Sequence, residues 1–160
     1  MDYDLFFKIT DYEELDIFIM SIETYIEYLE NFELSKKEGI DGEFSININA
    51  NLKGIISNLY GEIFMDKDKI KNVYTSLLKI KESAKIVDLT FSSDIDSFTK
   101  VKLKNFFQDK VNKDVLLRYK INPDIGGGLV INTPSNFFDF SFDYVLKSNT
   151  DKIIDIVKNG

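Results

Sequence analysis

The spacing of apolar residues changes near Ala84, and that change restricts the fold more than any single motif. Before it, apolar residues recur at intervals of three and four; beyond it, alternating runs appear. The first pattern belongs to amphipathic helices and the second to half-buried strands. In the front part, Leu15, Phe18, Ile19, Ile22, Ile26 and Leu29 predict a long helix ending near Phe32. Thr10 and Glu13 have capping-box spacing just before it, which places a hydroxyl and a carboxylate on free backbone amides. The residues preceding Thr10 carry no clear pattern. Lys36 to Asn49 reads as a loop, in which Phe44, Ile46 and Ile48 alternate as in a short strand. Leu52, Ile55, Ile56 and Leu59 predict a second helix closed by Gly61, glycine being the usual helix stop. Asp66 is placed to cap a third, with Ile70, Val73, Tyr74, Leu77 and Leu78 turned inward.

The rear part opens with a β-branched run, Lys85 to Phe91, which predicts a strand. Ser93 and Asp96 again have capping spacing, and Ile95, Phe98, Leu103 and Phe106 are expected to form the buried stripe of the next helix. Val115, Leu117, Tyr119 and Ile121 alternate as a strand, and Asn122-Pro123-Asp124 reads as a turn. Gly128 to Asn132 and Phe137 to Phe140 predict two further strands, a hairpin. Asp139 or Ser141 is placed to cap a final helix holding Leu146, Asn149, Ile153 and Ile156. The expected class is α+β: a shortened helical bundle over residues 1–83, then a small α/β lobe over residues 84–160 with a β-hairpin and a final helix.

Composition narrows the chemistry. The chain has no cysteine and no histidine, and its one arginine is Arg118. Thiolate catalysis, disulfides and the commonest general base and metal ligand are thereby excluded. The formal net charge of −7 argues against a nucleic-acid partner. At 44% hydrophobic residues the chain can bury a core, yet no run approaches the ~20 apolar residues of a membrane span. Met1-Asp2-Tyr3-Asp4 carries acids where a signal peptide carries bases. These features predict a cytoplasmic protein with no direct membrane insertion.

The motifs that resemble sites read better as structure. Gly126-Gly127-Gly128 precedes an apolar strand rather than a helix, and no Gly-Lys-Ser/Thr follows, so it lacks the parts of a phosphate loop. Its glycines suit a bulge or a close backbone approach. The pairs Asp66/Asp68 and Asp94/Asp96 lack the third oxygen ligand, the glycine and the distal Glu of a calcium loop; capping explains them. Asp139 and Ser141 have no histidine to relay a proton. Phe106-Phe107, with Lys100, Lys102, Lys104 and Lys110 nearby, and Phe137-Phe138 fit a solvated face better than a base-stacking surface. No catalytic, cofactor-binding or metal-binding residue is therefore assigned.

The rear sequence, from Ala84-Lys85-Ile86-Val87 through Asn122-Pro123-Asp124-Ile125-Gly126-Gly127-Gly128-Leu129-Val130-Ile131 to Asp139-Phe140-Ser141 and Leu146, resembles the C-terminal half of the F-type ATP synthase δ subunit, the oligomycin-sensitivity-conferring protein of mitochondria. That family shows an Asp-Pro, Gly-Gly and apolar-strand run, then Asp-Gly-Ser and a leucine on a final helix. The resemblance marks Gly127, Gly128, Asp139, Ser141 and Leu146 as the structural family motif, with Phe140 standing where the family has glycine. The front is similar more loosely: Leu15 to Leu34, ending in Asn31-Phe32-Glu33-Leu34, is similar to the family's second helix, and Leu52 to Leu59 to the next. The family's opening helix is reduced to Met1 to Ile9, where only Tyr3, Leu5 and Phe6 match, and a helical hairpin before Ala84 is absent from the pattern.

The resemblance implies a non-catalytic stator subunit. In the family the helical half sits on the catalytic head, holding the α-type subunits, and the C-terminal half holds an elongated helical stalk subunit. The expected partners are those two, placing the chain at the membrane periphery within a complex, with no cofactor. Because the missing front pieces help to hold the α-subunit helices in the family, the front lobe is expected to bind the head weakly or by another contact. Two alternatives stay open at this stage: a δ-like adaptor of an F-type-like ATPase turned to other work such as gliding motility, and an unrelated protein-binding scaffold.

Overall fold

The computed structural model describes residues 1–37 and 48–150 of the chain. The chain divides into two compact units, Met1–Ala84 and Lys85–Gly160. The first unit is helical: α1 (Tyr3–Phe6), α2 (Tyr12–Lys37), α3 (Ala50–Tyr60) and α4 (Lys67–Ser83). The opening residues, which lack a periodic signal, form α1, and Leu5, Phe6 and Ile9 are wholly buried. A helix of four residues is too short to display a period. Asp2 caps it by accepting from the Leu5 N–H at 3.1 Å, and the Tyr60 hydroxyl donates to Asp2 Oδ2 at 2.5 Å.

The cap of α2 differs from the expected Thr10–Glu13 pair by one residue. Asp11 Oδ1 accepts from the Glu14 N–H at 2.8 Å, and Glu14 Oε2 accepts from the Thr10 N–H at 2.6 Å. Aspartate ranks above threonine as a cap, so the same reciprocal logic operates from the neighbouring position. Asn51 Nδ2 donates to the other Glu14 oxygen at 2.6 Å, tying α2 to α3. The helix also continues past Phe32 to Lys37, because no glycine or proline occurs before Gly39. Leu15, Phe18, Ile19, Ile22 and Leu29 are buried as expected, along with Tyr25. On α4 the buried residues are Ile70, Val73, Leu77 and Ile80, whereas Tyr74 and Leu78 are half-buried. Glu33–Lys67, Glu30–Lys71 and Asp16–Lys81 pairs at 3.1, 2.9 and 2.7 Å set α2 and α4 antiparallel. Such exposed pairs contribute little energy; the apolar stripes hold the bundle. The alternating Phe44 and Ile46 lie outside the described residues, and Ile48 beside them is buried.

The second unit is β1 (Lys85–Phe91), α5 (Ser97–Lys110), β2 (Val115–Ile121), β3 (Leu129–Asn132), β4 (Phe137–Asp139) and α6 (Phe142–Ser148). The sheet order is β2-β1-β3-β4. β1 and β2 are parallel and joined through α5, as a parallel pair requires a crossover. β3 and β4 form the antiparallel hairpin on the other side of β1. Pairing aligns one row across the sheet: Tyr119, Leu89, Ile131 and Phe138. On that face Phe107 of α5 packs with Val87, Leu89, Val115 and Leu117. The start of α5 corrects the expected stripe. Asp96 alone caps it, accepting from the Thr99 N–H at 2.9 Å and the Thr99 hydroxyl at 2.7 Å, and Ser93 and Ile95 precede the helix. Leu103 and Phe107, four residues apart, share the inner face, and Phe98 and Phe106 are exposed. Ile153 and Ile156 of the expected final helix lie outside the described residues.

On the opposite face of the sheet Asp88 accepts from Arg118 Nε at 2.6 Å and from Lys120 Nζ at 2.7 Å. Burial alone would push the Asp88 carboxyl up, but the hydrogen bonds and charges of Arg118 and Lys120 outweigh it and hold the carboxyl below its ordinary value. A carboxyl lowered in the folded state contributes stability above its unfolded value, about 3.9 for aspartate, and loses it as pH falls through the folded one. Asp88→Asn should therefore flatten the loss of stability below about pH 4 relative to the wild-type chain, read as denaturant midpoints between pH 7 and pH 2. Parallel acid limbs for the two proteins would contradict this.

Candidate functional site

The three glycines form the junction on which the hairpin and α6 meet. Asn122 Oδ1 accepts from the Asp124 N–H at 3.1 Å and opens a short 3-10 turn, Pro123–Ile125, which ends at Gly126 with φ of 66°. Gly127 and Gly128 follow with φ of 120° and 85°. L side chains rarely adopt these angles. Space forbids a side chain as well. A Cβ on Gly127 would stand 2.7 Å from the Phe142 ring, and one on Gly128 would overlap the Phe140 carbonyl oxygen and lie 3.0 Å from Ser141 Cα. The approach is fastened by hydrogen bonds from the Phe140 N–H to the Leu129 carbonyl at 2.9 Å and from the Phe142 N–H to the Gly127 carbonyl at 3.1 Å.

Asp139 and Ser141 build the other half of the junction. Asp139 Oδ1 accepts from the Ser141 N–H at 2.8 Å, and Ser141 Oγ accepts from the Tyr144 N–H at 3.2 Å, which makes Ser141 the cap of α6. Ser141 is buried. The hydrogen bonds from the Ser141 hydroxyl and amide, with Lys147 nearby, hold the Asp139 carboxyl below its ordinary range against a smaller effect of burial. The arrangement is a turn and a helix cap. The Ser141 hydroxyl faces a carboxylate and a backbone amide, a structural pair rather than an activated nucleophile.

Of the five motif residues, Gly127, Gly128, Asp139 and Ser141 meet at this junction. Leu146 does not; it lies on α6, 56% exposed. Phe140 has a negative φ and needs no left-handed backbone. Its ring is 57% exposed and stacks on Phe138 with centroids 6.4 Å apart and planes within 7°. Phe142 is the residue that sequence reasoning missed at the junction. Its ring over Gly127 is a long-range contact without a local signal.

Gly128→Ala should destabilise the rear lobe by about 1–3 kcal/mol, the usual range for an unfavourable backbone region, with Gly128→Val and Gly127→Val at least as costly. Gly54→Ala is the control: that glycine lies within α3 with nothing within 4 Å of an added Cβ, so the change should stabilise by about 0.5–1 kcal/mol. Thermal unfolding of the variants checks both signs; equal melting points for Gly128→Ala and wild type would contradict the junction's role.

The family model described as ATP synthase delta (OSCP) subunit matches residues 11–153. No curated protein matches the chain. The family match runs through both compact units, from the Asp11 cap of α2 past the glycine junction and α6. The chain therefore belongs to the ATP synthase delta (OSCP) subunit family.

Proposed function

We propose that this chain is a peripheral-stalk, or stator, subunit that links the catalytic head of an F-type rotary ATPase to its stalk. The observation that carries the reading is the family match across both units. The family is a non-catalytic part of the synthase, and the junction of Gly127, Gly128, Asp139 and Ser141 supplies positioning rather than chemistry. Among the described residues no helix is long and apolar enough to cross a membrane, which is compatible with a peripheral place in the complex. The front unit faces the α-type subunits of the head and the rear unit holds the elongated helical stalk subunit. A stator must hold both while the rotor turns. Apolar contact suits that task, since it gains about 25 cal/mol per Å² before association costs and is not screened by salt as surface charge is.

Affinity purification of the tagged full-length chain from its native cells tests the proposal. The catalytic head subunits and the stalk subunit should come with it, and the stalk subunit should remain bound at salt of about 0.5 M, where the Debye length is well under 10 Å. Recovery of the chain without either would contradict the proposal.

A further inference from the structure

The apolar face of the rear sheet is only partly roofed, and the gap is concave. Leu89 under α5 is wholly buried, Ile131 beside it on β3 is half-buried, and Phe138 on the edge strand is 46% exposed. Between the end of α5 and the turn joining β3 to β4 lies a trough of about 700 Å³, within the roughly 300–1,000 Å³ of small-molecule sites. Its apolar lining is Val87, Phe107, Val115, Ile131 and Phe138. Lys85 is the one charged residue among those lining it. Side chains alternate along β1, so Lys85 shares the face of Val87 and Leu89, and Asp88 lies on the other. Among the described residues the ion pairs of this lobe join Asp88 to Arg118 and Lys120, and Lys85 takes part in none. Asn112 also lines the trough; its Oδ1 accepts from the Asp114 N–H at 2.8 Å, and its Nδ2 donates to no described residue.

We infer that this trough binds an amphiphilic carboxylate, a free medium-chain fatty acid, with the alkyl chain on Phe107, Ile131 and Phe138 and the carboxylate on Lys85 Nζ and Asn112 Nδ2. The alkyl chain covers the apolar floor that α5 leaves open, and each methylene taken from water favours the complex. The polar lining selects the head group. One lysine matches a single negative charge, and the Asn112 amide supplies a further donor. A phosphate head is held best by the bidentate fork of arginine, and the chain's one arginine, Arg118, is bonded to Asp88 on the other face of the sheet. No carboxylate lines the trough to receive a cationic head. The site is independent of the stator role, which it neither requires nor replaces.

The test is calorimetry of the full chain with decanoate held below its micelle concentration. Binding should saturate at one decanoate per chain. Octanoate and hexanoate should bind progressively more weakly, by about twofold to fourfold for each methylene removed, and decyltrimethylammonium should not compete. Lys85→Gln should weaken decanoate binding by about tenfold or more, as loss of a charge-assisted hydrogen bond does, while Lys85→Arg retains it. Lys85 is exposed, so both variants should melt with the wild type. Phe138→Ser should weaken binding, whereas Phe106→Ser, outside the trough, should not. A decanoate carrying a diazirine should label Val111, Asn112 or the turn residues Thr133 to Asn136 on irradiation. Labelling spread over other exposed apolar residues such as Met65 and Phe98, equal affinity for the cationic amphiphile, or unchanged affinity in Lys85→Gln would overturn the inference. So would the absence of saturable binding, whether the trough is filled by residues 151–160, by a second copy or by nothing.

Discussion

The rear lobe depends on one close approach: the backbone of Gly128 lies against the Phe140 carbonyl and Ser141 Cα, where any Cβ would collide. This contact brings the start of β3 to the end of β4 and delivers the chain into α6. It explains why glycines are needed on one side and an aspartate-serine turn on the other. Asp139 fixes the Ser141 amide, and Ser141 then satisfies the Tyr144 amide at the head of α6. Without the approach, the stacked rings of Phe138 and Phe140 would lose their common support.

From that junction the architecture of the sheet follows. The crossover through α5 can cover only part of a four-stranded sheet, and Phe107 anchors it over β1 and β2. The hairpin carries the same apolar row outward to Phe138, which is 46% exposed. The front unit is built differently, from apolar stripes on long helices and caps that interlock through Glu14.

The elements most legible in the sequence were those with a period. Leu15 to Leu29 on α2 and Lys85 to Phe91 in β1 announce themselves by spacing, and Gly61, Asp66 and Asp96 by cap chemistry. Short elements and choices between adjacent residues were not legible. α1 is shorter than two turns, Asp11 displaced Thr10 because either can cap, and Phe107 rather than Phe106 turned inward because the start of α5 fixes its rotation. At the junction, the sequence displays glycines and an Asp-x-Ser motif, but their meeting depends on the Phe142 ring and the Phe140 carbonyl, contacts set by the tertiary fold. The partial roof over Ile131 and Phe138 was likewise hidden, since alternation alone does not say which strands a crossover helix covers.

Amide hydrogen exchange on the full chain, wild type against Gly128→Ala, tests most directly whether the glycine junction holds this surface in place. The amides of Phe140, Phe142 and Tyr144, bonded to the Leu129 carbonyl, the Gly127 carbonyl and Ser141 Oγ, should exchange faster in the variant, while those of β1 and β2 keep their protection. Unchanged exchange at Phe140, Phe142 and Tyr144 would contradict the account.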